Sequence, residues 1–97
     1  MVMNKYEMSV VFKPGMEEEA HKAEFDKVLA LIERFGGTVE KVDEWGKRRL
    51  AYEIQKLTEG IYYFLTVEAP AEAPREIEDR LRIMESVIRY LVIKLDA

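Results

Sequence analysis

Seventeen residues from Thr38 to Ile54, TVEKVDEWGKRRLAYEI, run without a proline, and Leu50, Tyr52 and Ile54 keep the two-residue phase of a strand. At about 3.3 Å per residue a straight strand of that length would span roughly 50–55 Å. The run that follows, Ile61 to Ala69, is only about half as long, rich in aromatic and β-branched side chains and free of breakers. A strand cannot stay paired with a neighbour half its length, so the first run must bend or project. Gly46 stands inside it, and an isolated glycine in a strand pattern predicts a bulge that shifts the register. Val39 and Val42, out of phase with each other, fit such an irregular strand. The alternative is a tight hairpin at Trp45-Gly46-Lys47, whose flanks offer none of the favoured turn dipeptides. The polar stretch Gln55-Lys56-Leu57-Thr58-Glu59-Gly60 is predicted to be the loop joining the two runs.

Charge changes sign across Gly46. Glu40, Asp43 and Glu44 precede it, with Lys41 among them; Lys47, Arg48 and Arg49 follow it, and Lys56 lies in the loop. This basic triplet is the densest positive cluster of a chain whose net charge is −4. Affinity for a phosphate backbone comes from neutralising phosphates with Lys and Arg. An acidic chain therefore touches nucleic acid only locally, or together with a basic partner.

With 97 residues the chain is read as one domain, 1–97, long enough to bury a core without staples. It has no cysteine, which excludes disulfides, thiolate metal sites and cysteine nucleophiles. Its first residues lack the apolar core of a signal peptide, and no apolar run reaches the ~18 residues of a membrane span, so the expectation is an intracellular, cytoplasmic protein that does not enter a membrane.

Along the chain, Tyr6, Met8, Val10 and Phe12 alternate with Lys5, Glu7 and Ser9, predicting a half-buried strand over 3–12 that Lys13-Pro14-Gly15 ends. Phe25, Val28, Leu29, Ile32 and Phe35 recur at three- and four-residue spacing, predicting a helix over 16–35. Its first turn carries Glu17, Glu18 and Glu19, where carboxylates meet the positive end of the helix dipole, and Gly36-Gly37 caps its end. A second helix begins near Ala73, with Pro74 in its first turn and Ile77, Leu81 and Met84 inward, and ends near Glu85-Ser86. Val87 to Leu95, apolar on both faces apart from Arg89 and Lys94, reads as a strand inside a sheet.

The order β-α-β-β-α-β, with right-handed crossovers to parallel neighbours and a hairpin in the middle, predicts an α+β fold. It is the ferredoxin-like split βαβ sandwich: a four-stranded antiparallel sheet with two helices on one face. The other face is left uncovered. If Ile61, Tyr63, Leu65 and Val67 meet the helices, Tyr62, Phe64 and Thr66 face outward near Val11 and the outer side of the last strand, and an open apolar face of that kind marks a contact site.

Nothing points to catalysis. His21, the only histidine, sits in a polar stretch with no nucleophile at motif spacing and reads as a surface residue. Metal-ligand spacing, a phosphate-cradling glycine loop and a dinucleotide fingerprint are missing, and no cofactor is expected. What remains is basic residues interleaved with aromatics: Trp45, Lys47, Arg48, Arg49, Tyr52 and Lys56, then Tyr62 and Phe64, a combination that holds RNA through phosphate contacts and stacking. The bland alternative is that Arg48 and Arg49 pair with Glu40, Asp43 or Glu44 across the sheet.

Gly46-Lys47-Arg48-Arg49-Leu50-Ala51-Tyr52-Glu53-Ile54 resembles the signature of the bacterial small-subunit ribosomal protein six family. The likeness extends to Tyr6-Glu7, to Gly36-Gly37 before Val39-Glu40-Lys41-Val42, to Gly60–Tyr63 and to Leu81-Arg82-Ile83 ahead of Val87-Ile88-Arg89. Glu53 stands where a proline is common in the family, and the polar tail of many members does not follow Ala97. The resemblance implies a non-enzymatic structural protein of the small ribosomal subunit. It would bind the central domain of the small-subunit rRNA together with small-subunit ribosomal protein eighteen, and be a monomer when isolated. Candidate RNA-binding residues are Lys5, Lys47, Arg48, Arg49, Lys56 and Arg89; candidates for contact with the partner protein are Trp45, Tyr52, Tyr62, Phe64 and Leu91, with Gly46 as the structural bulge and no catalytic or metal-binding residue. Two other readings remain open. One is a free-standing binder of single-stranded RNA, which the Glu7 and Ser9 of the first strand's outer face suit poorly. The other is a small acyl-phosphate hydrolase or ligand-sensing domain, for which Lys13-Pro14-Gly15-Met16-Glu17 supplies one lysine followed at once by acids.

Overall fold

The computed structural model describes residues 3–54 and 56–95, apart from the side chain of Ala51. Strand β1 (Met3–Phe12), helix α1 (Glu18–Arg34), the long β2 (Thr38–Ile54), β3 (Leu57–Pro70), helix α2 (Ala73–Arg82) and β4 (Val87–Leu95) follow in the expected order. They build one antiparallel sheet in the order β2-β3-β1-β4, the ferredoxin-like arrangement. Each crossover skips a strand: β3 lies between β1 and β2, and β1 between β3 and β4, so the expected parallel neighbours are not adjacent. The molecule extends 41 × 25 × 22 Å because the β2–β3 hairpin runs on past the end of β1.

The alternation of β1 and β3 decides the core. Tyr6, Met8, Val10 and Phe12 meet Phe25, Val28 and Ile32 of α1, Ile77 and Leu81 of α2, and Ile61, Tyr63, Leu65 and Val67 of β3 in a single buried cluster. Met84 lies past the end of α2 and is only partly buried against that cluster. The helix stops at Arg82, short of the expected end, because the Met84 amide turns back to the Leu81 carbonyl and the Val87 amide to that of Met84. At the end of α1, Gly36 takes φ +85 and the Gly37 amide donates to the Ile32 carbonyl at 2.8 Å, which satisfies a terminal carbonyl with a left-handed cap.

Tyr63 is the centre of this core. Its ring stacks on Phe25 with centroids 4.1 Å apart and meets Phe12 edge-on at 5.6 Å, and its hydroxyl lies 2.7 Å from Nδ1 of His21. His21 is therefore buried, not a surface residue: it gives the buried phenol a polar partner. Burial, and then the Glu44 carboxylate, push the Tyr63 hydroxyl up to about 12.

Two further expectations are corrected. Strand β4 is at the edge of the sheet, not inside it. Its helix side, Tyr90 and Val92, packs on the core, while Leu91, Ile93 and Leu95 stand exposed on the open side. The stretch Leu57–Gly60 belongs to β3 and not to a loop: Arg48 faces Gly60, Arg49 faces Glu59, and Ile54 faces Leu57. Lys56, just before Leu57, takes φ +66; Gln55 lies outside the described residues.

Gly60 is a close approach. A Cβ there would collide with Cγ1 of Val11 and come within 3.3 Å of the Phe12 carbonyl oxygen. Gly60→Ala is expected to destabilise the fold by roughly 1–3 kcal/mol, as overpacking does. Chemical denaturation tests this, and an unchanged midpoint would mean that the hairpin stands clear of β1.

Candidate nucleic-acid and protein interface

Strand β2 is broken three times. Its register against β3 shifts between Val39 and Lys41, between Glu44 and Gly46, and between Arg49 and Ile54. The first shift brings both Val39 and Val42 opposite residues of the helix side, Val67 and Leu65, which accounts for their odd spacing in the sequence. At the second, Glu44 faces Tyr63 and Gly46 faces Tyr62, leaving Trp45 as the extra residue; Gly46 takes φ +71. Nothing lies within 4 Å of a Cβ built there, so a side chain costs only backbone energy. Gly46→Val is expected to destabilise by about 1–2 kcal/mol and Gly46→Asn by much less, since Asn tolerates the left-handed region. Equal stability of the two variants in denaturant would contradict this.

Past Gly46 the ribbon carries its cations on both sides. Lys47 pairs opposite Ile61 on the helix side, and alternation turns Arg48 to the other. The Arg48 guanidinium lies 5.7 Å from the Trp45 ring centroid, and that of Arg89, on β4, 5.4 Å from that of Tyr52. Lys47 meets Glu59 at 3.6 Å, an exposed pair worth little. The alternative pairing of Arg48 or Arg49 with Glu40, Asp43 or Glu44 is not among the ion pairs of the described residues; Glu40 is taken by Lys5, at 3.6 Å. The structure thus brings Lys47, Arg48, Arg49 and Lys56 onto one hairpin, with Arg89 joined to it through Tyr52. Lys5 is not part of this group: it pairs with Glu68 and Leu95 near the far end of β1, six residues from Val11, which faces Arg89.

The open sheet face holds the other candidates. Trp45 and Phe64 have ring centroids 4.6 Å apart, and Phe64 and Tyr62 6.2 Å. Across β1, Ser9 lies between Phe64 and Leu91, and Glu7 between Thr66 and Ile93. Trp45, Tyr62, Phe64 and Leu91 therefore share one face, whereas Tyr52 stands on the hairpin. The sequence reading missed Ile93 and Leu95, 48% and 36% exposed on that same face; their two-residue spacing from Leu91 was the available signal. Among the described residues no group of three His, Cys, Asp or Glu side chains is placed to hold a metal ion, and no helix is long and apolar enough to cross a membrane.

The molecule is thus a split βαβ sheet with helices on one side, an aromatic and aliphatic face on the other and a cationic hairpin at one end. The family model described as ribosomal protein S6 matches residues 5–94. Small ribosomal subunit protein bS6 of Alkaliphilus oremlandii is 46% identical over 94 residues, covering 97% of this chain and 99% of that protein. Its counterpart in Clostridium botulinum is 44% identical over 91 residues, 94% and 97% of the two chains. The chain belongs to the ribosomal protein S6 family, and like these relatives it is a ribosomal protein and not an enzyme. The crystal structure of 30S ribosomal protein S6 from Thermotoga maritima superposes with a TM-score of 0.91 at 27% identity, covering 97% of this chain and 89% of that one. The P2 domain of the chemotaxis kinase CheA, at 13% identity and a TM-score of 0.67, shares the fold alone.

Proposed function

We propose that this protein is a cytoplasmic, monomeric assembly component of the small ribosomal subunit. It binds the central domain of the small-subunit rRNA jointly with a basic partner, small-subunit ribosomal protein eighteen. The observation that carries this reading is the separation of two surfaces on an acidic chain: the cations Lys47, Arg48, Arg49 and Lys56 gather on a hairpin beyond the sheet, while Trp45, Phe64, Leu91 and Ile93 lie on its open face. With a net charge of −4 the protein gains little from general attraction to phosphate. A cationic protein seated on the open face would lower that barrier and cover the apolar side chains in one step.

Affinity purification of the tagged protein from cell lysate tests this reading. Small-subunit particles and protein eighteen are the expected companions. Recovery of RNA without protein eighteen would favour a free-standing RNA binder, and recovery of neither would overturn the proposal.

A further inference from the structure

Between the aromatic pair and the centre of the sheet lies a depression of about 330 Å³, lined by Glu7, Lys41, Asp43, Trp45, Phe64 and Thr66. Its walls and its charge are of different kinds. Trp45 and Phe64 supply π-faces, and Trp45 is half exposed. Asp43 is held by Lys41 at 3.7 Å, but Glu7, exposed between Thr66 and Ile93, has no ion-pair partner among the described residues. A carboxylate on the face that also carries Trp45, Phe64, Leu91 and Ile93 would be left unpaired when that face is covered, at considerable cost, unless the covering molecule brings a cation.

We propose that this depression is a socket for an arginine side chain of the protein that covers the open face. The guanidinium is the cation that suits both features. It is planar, stacks on aromatic rings and presents a fork of donors to a carboxylate, whereas a lysine ammonium is a strongly hydrated point charge. Seated against Trp45 and Phe64, it would donate to Glu7 and reach toward Asp43. An RNA phosphate would meet repulsion from the unpaired Glu7 carboxylate. The inference rests on the reading above, in which a basic protein binds this face, and adds where its anchoring charge goes.

Trp45 is the only tryptophan, so its fluorescence reports on the socket directly. N-acetyl-arginine amide is the probe, with N-acetyl-lysine amide and adenosine monophosphate as controls, and small-subunit protein eighteen is titrated separately. A saturable change with the arginine amide is expected, several-fold weaker with the lysine amide. Glu7→Gln should weaken the arginine amide several-fold and protein eighteen about tenfold or more, as loss of one partner of a covered charge pair does. No saturable change with the arginine amide, or an equal one in Glu7→Gln, would overturn the socket. So would a stronger response to the nucleotide, which would make the two rings a base-stacking platform. If protein eighteen binds wild type and Glu7→Gln alike, the socket fails while the proposed function stands. If the arginine amide binds in a Glu7-dependent way and protein eighteen does not bind, the socket stands and the named partner is wrong.

Discussion

Changing Lys47, Arg48 and Arg49 together to Ser is expected to leave the unfolding free energy within about 1 kcal/mol of wild type, as surface substitutions usually do. The same change should markedly weaken partner-assisted RNA binding. All three side chains are exposed, and the Lys47–Glu59 pair is a solvated contact at 3.6 Å. The hydrophobic core uses none of them. Phosphate binding, in contrast, depends on cations. Each lost contact should make the salt dependence shallower by about 0.9 if the RNA is duplex-like at the site. Because Arg48 turns to the opposite side of the ribbon from Lys47, one phosphate strand does not meet all three cations from a single direction, and single substitutions should have unequal effects. The measurement is a salt titration of binding to the central-domain RNA, with and without protein eighteen. An identical slope in wild type and triple variant would move the contact elsewhere, to Lys5 and Arg89. Tight binding without the partner would favour a free-standing RNA binder.

Leu65→Ala should cost roughly 2–5 kcal/mol, the range found when a buried leucine leaves a cavity. Leu65 is 1% exposed, lies on an interior strand opposite Met8 of β1 and Val42 of β2, and faces the helices. Neither neighbouring strand can move inward to fill the gap without breaking its own pairing. The test is denaturant titration. A loss under about half a kcal/mol would mean that the site collapses freely, contrary to the close packing of a small core.

How far such features could be read from the residues depends on how local their causes are. The facing of β1 and β3 was legible because Tyr6, Met8, Val10 and Phe12, and Ile61, Tyr63, Leu65 and Val67, keep strict alternation over a sheet covered on one side only. The edge position of β4 was not: alternation tells which way a side chain faces, not which strands flank it, and Leu91, Ile93 and Leu95 are apolar without helices above them. His21 looked solvated among Glu18, Glu19 and Lys22. Its burial comes from the Tyr63 hydroxyl, 42 residues away in sequence. Leu57–Gly60 looked like a loop because it is polar, yet pairing with Arg48 and Arg49 extends the ladder through it. Of the interface, the cationic cluster was visible as composition. That Glu7 and Trp45 line one depression was not, because three shifts of register decide which face each residue of β2 reaches.

Those same shifts have a bearing on what happens between molecules. An outermost strand offers a row of free amides and carbonyls, a template on which another chain could add itself. On β2 that row is interrupted at Glu40, at Trp45 and again before Ile54, and no straight strand can follow it for more than a few residues. Lys41, Asp43, Glu44, Lys47 and Arg49 flank the breaks with exposed charge of both signs. The irregular strand that carries the cationic hairpin thereby keeps its outer rim from growing into a ribbon of many copies.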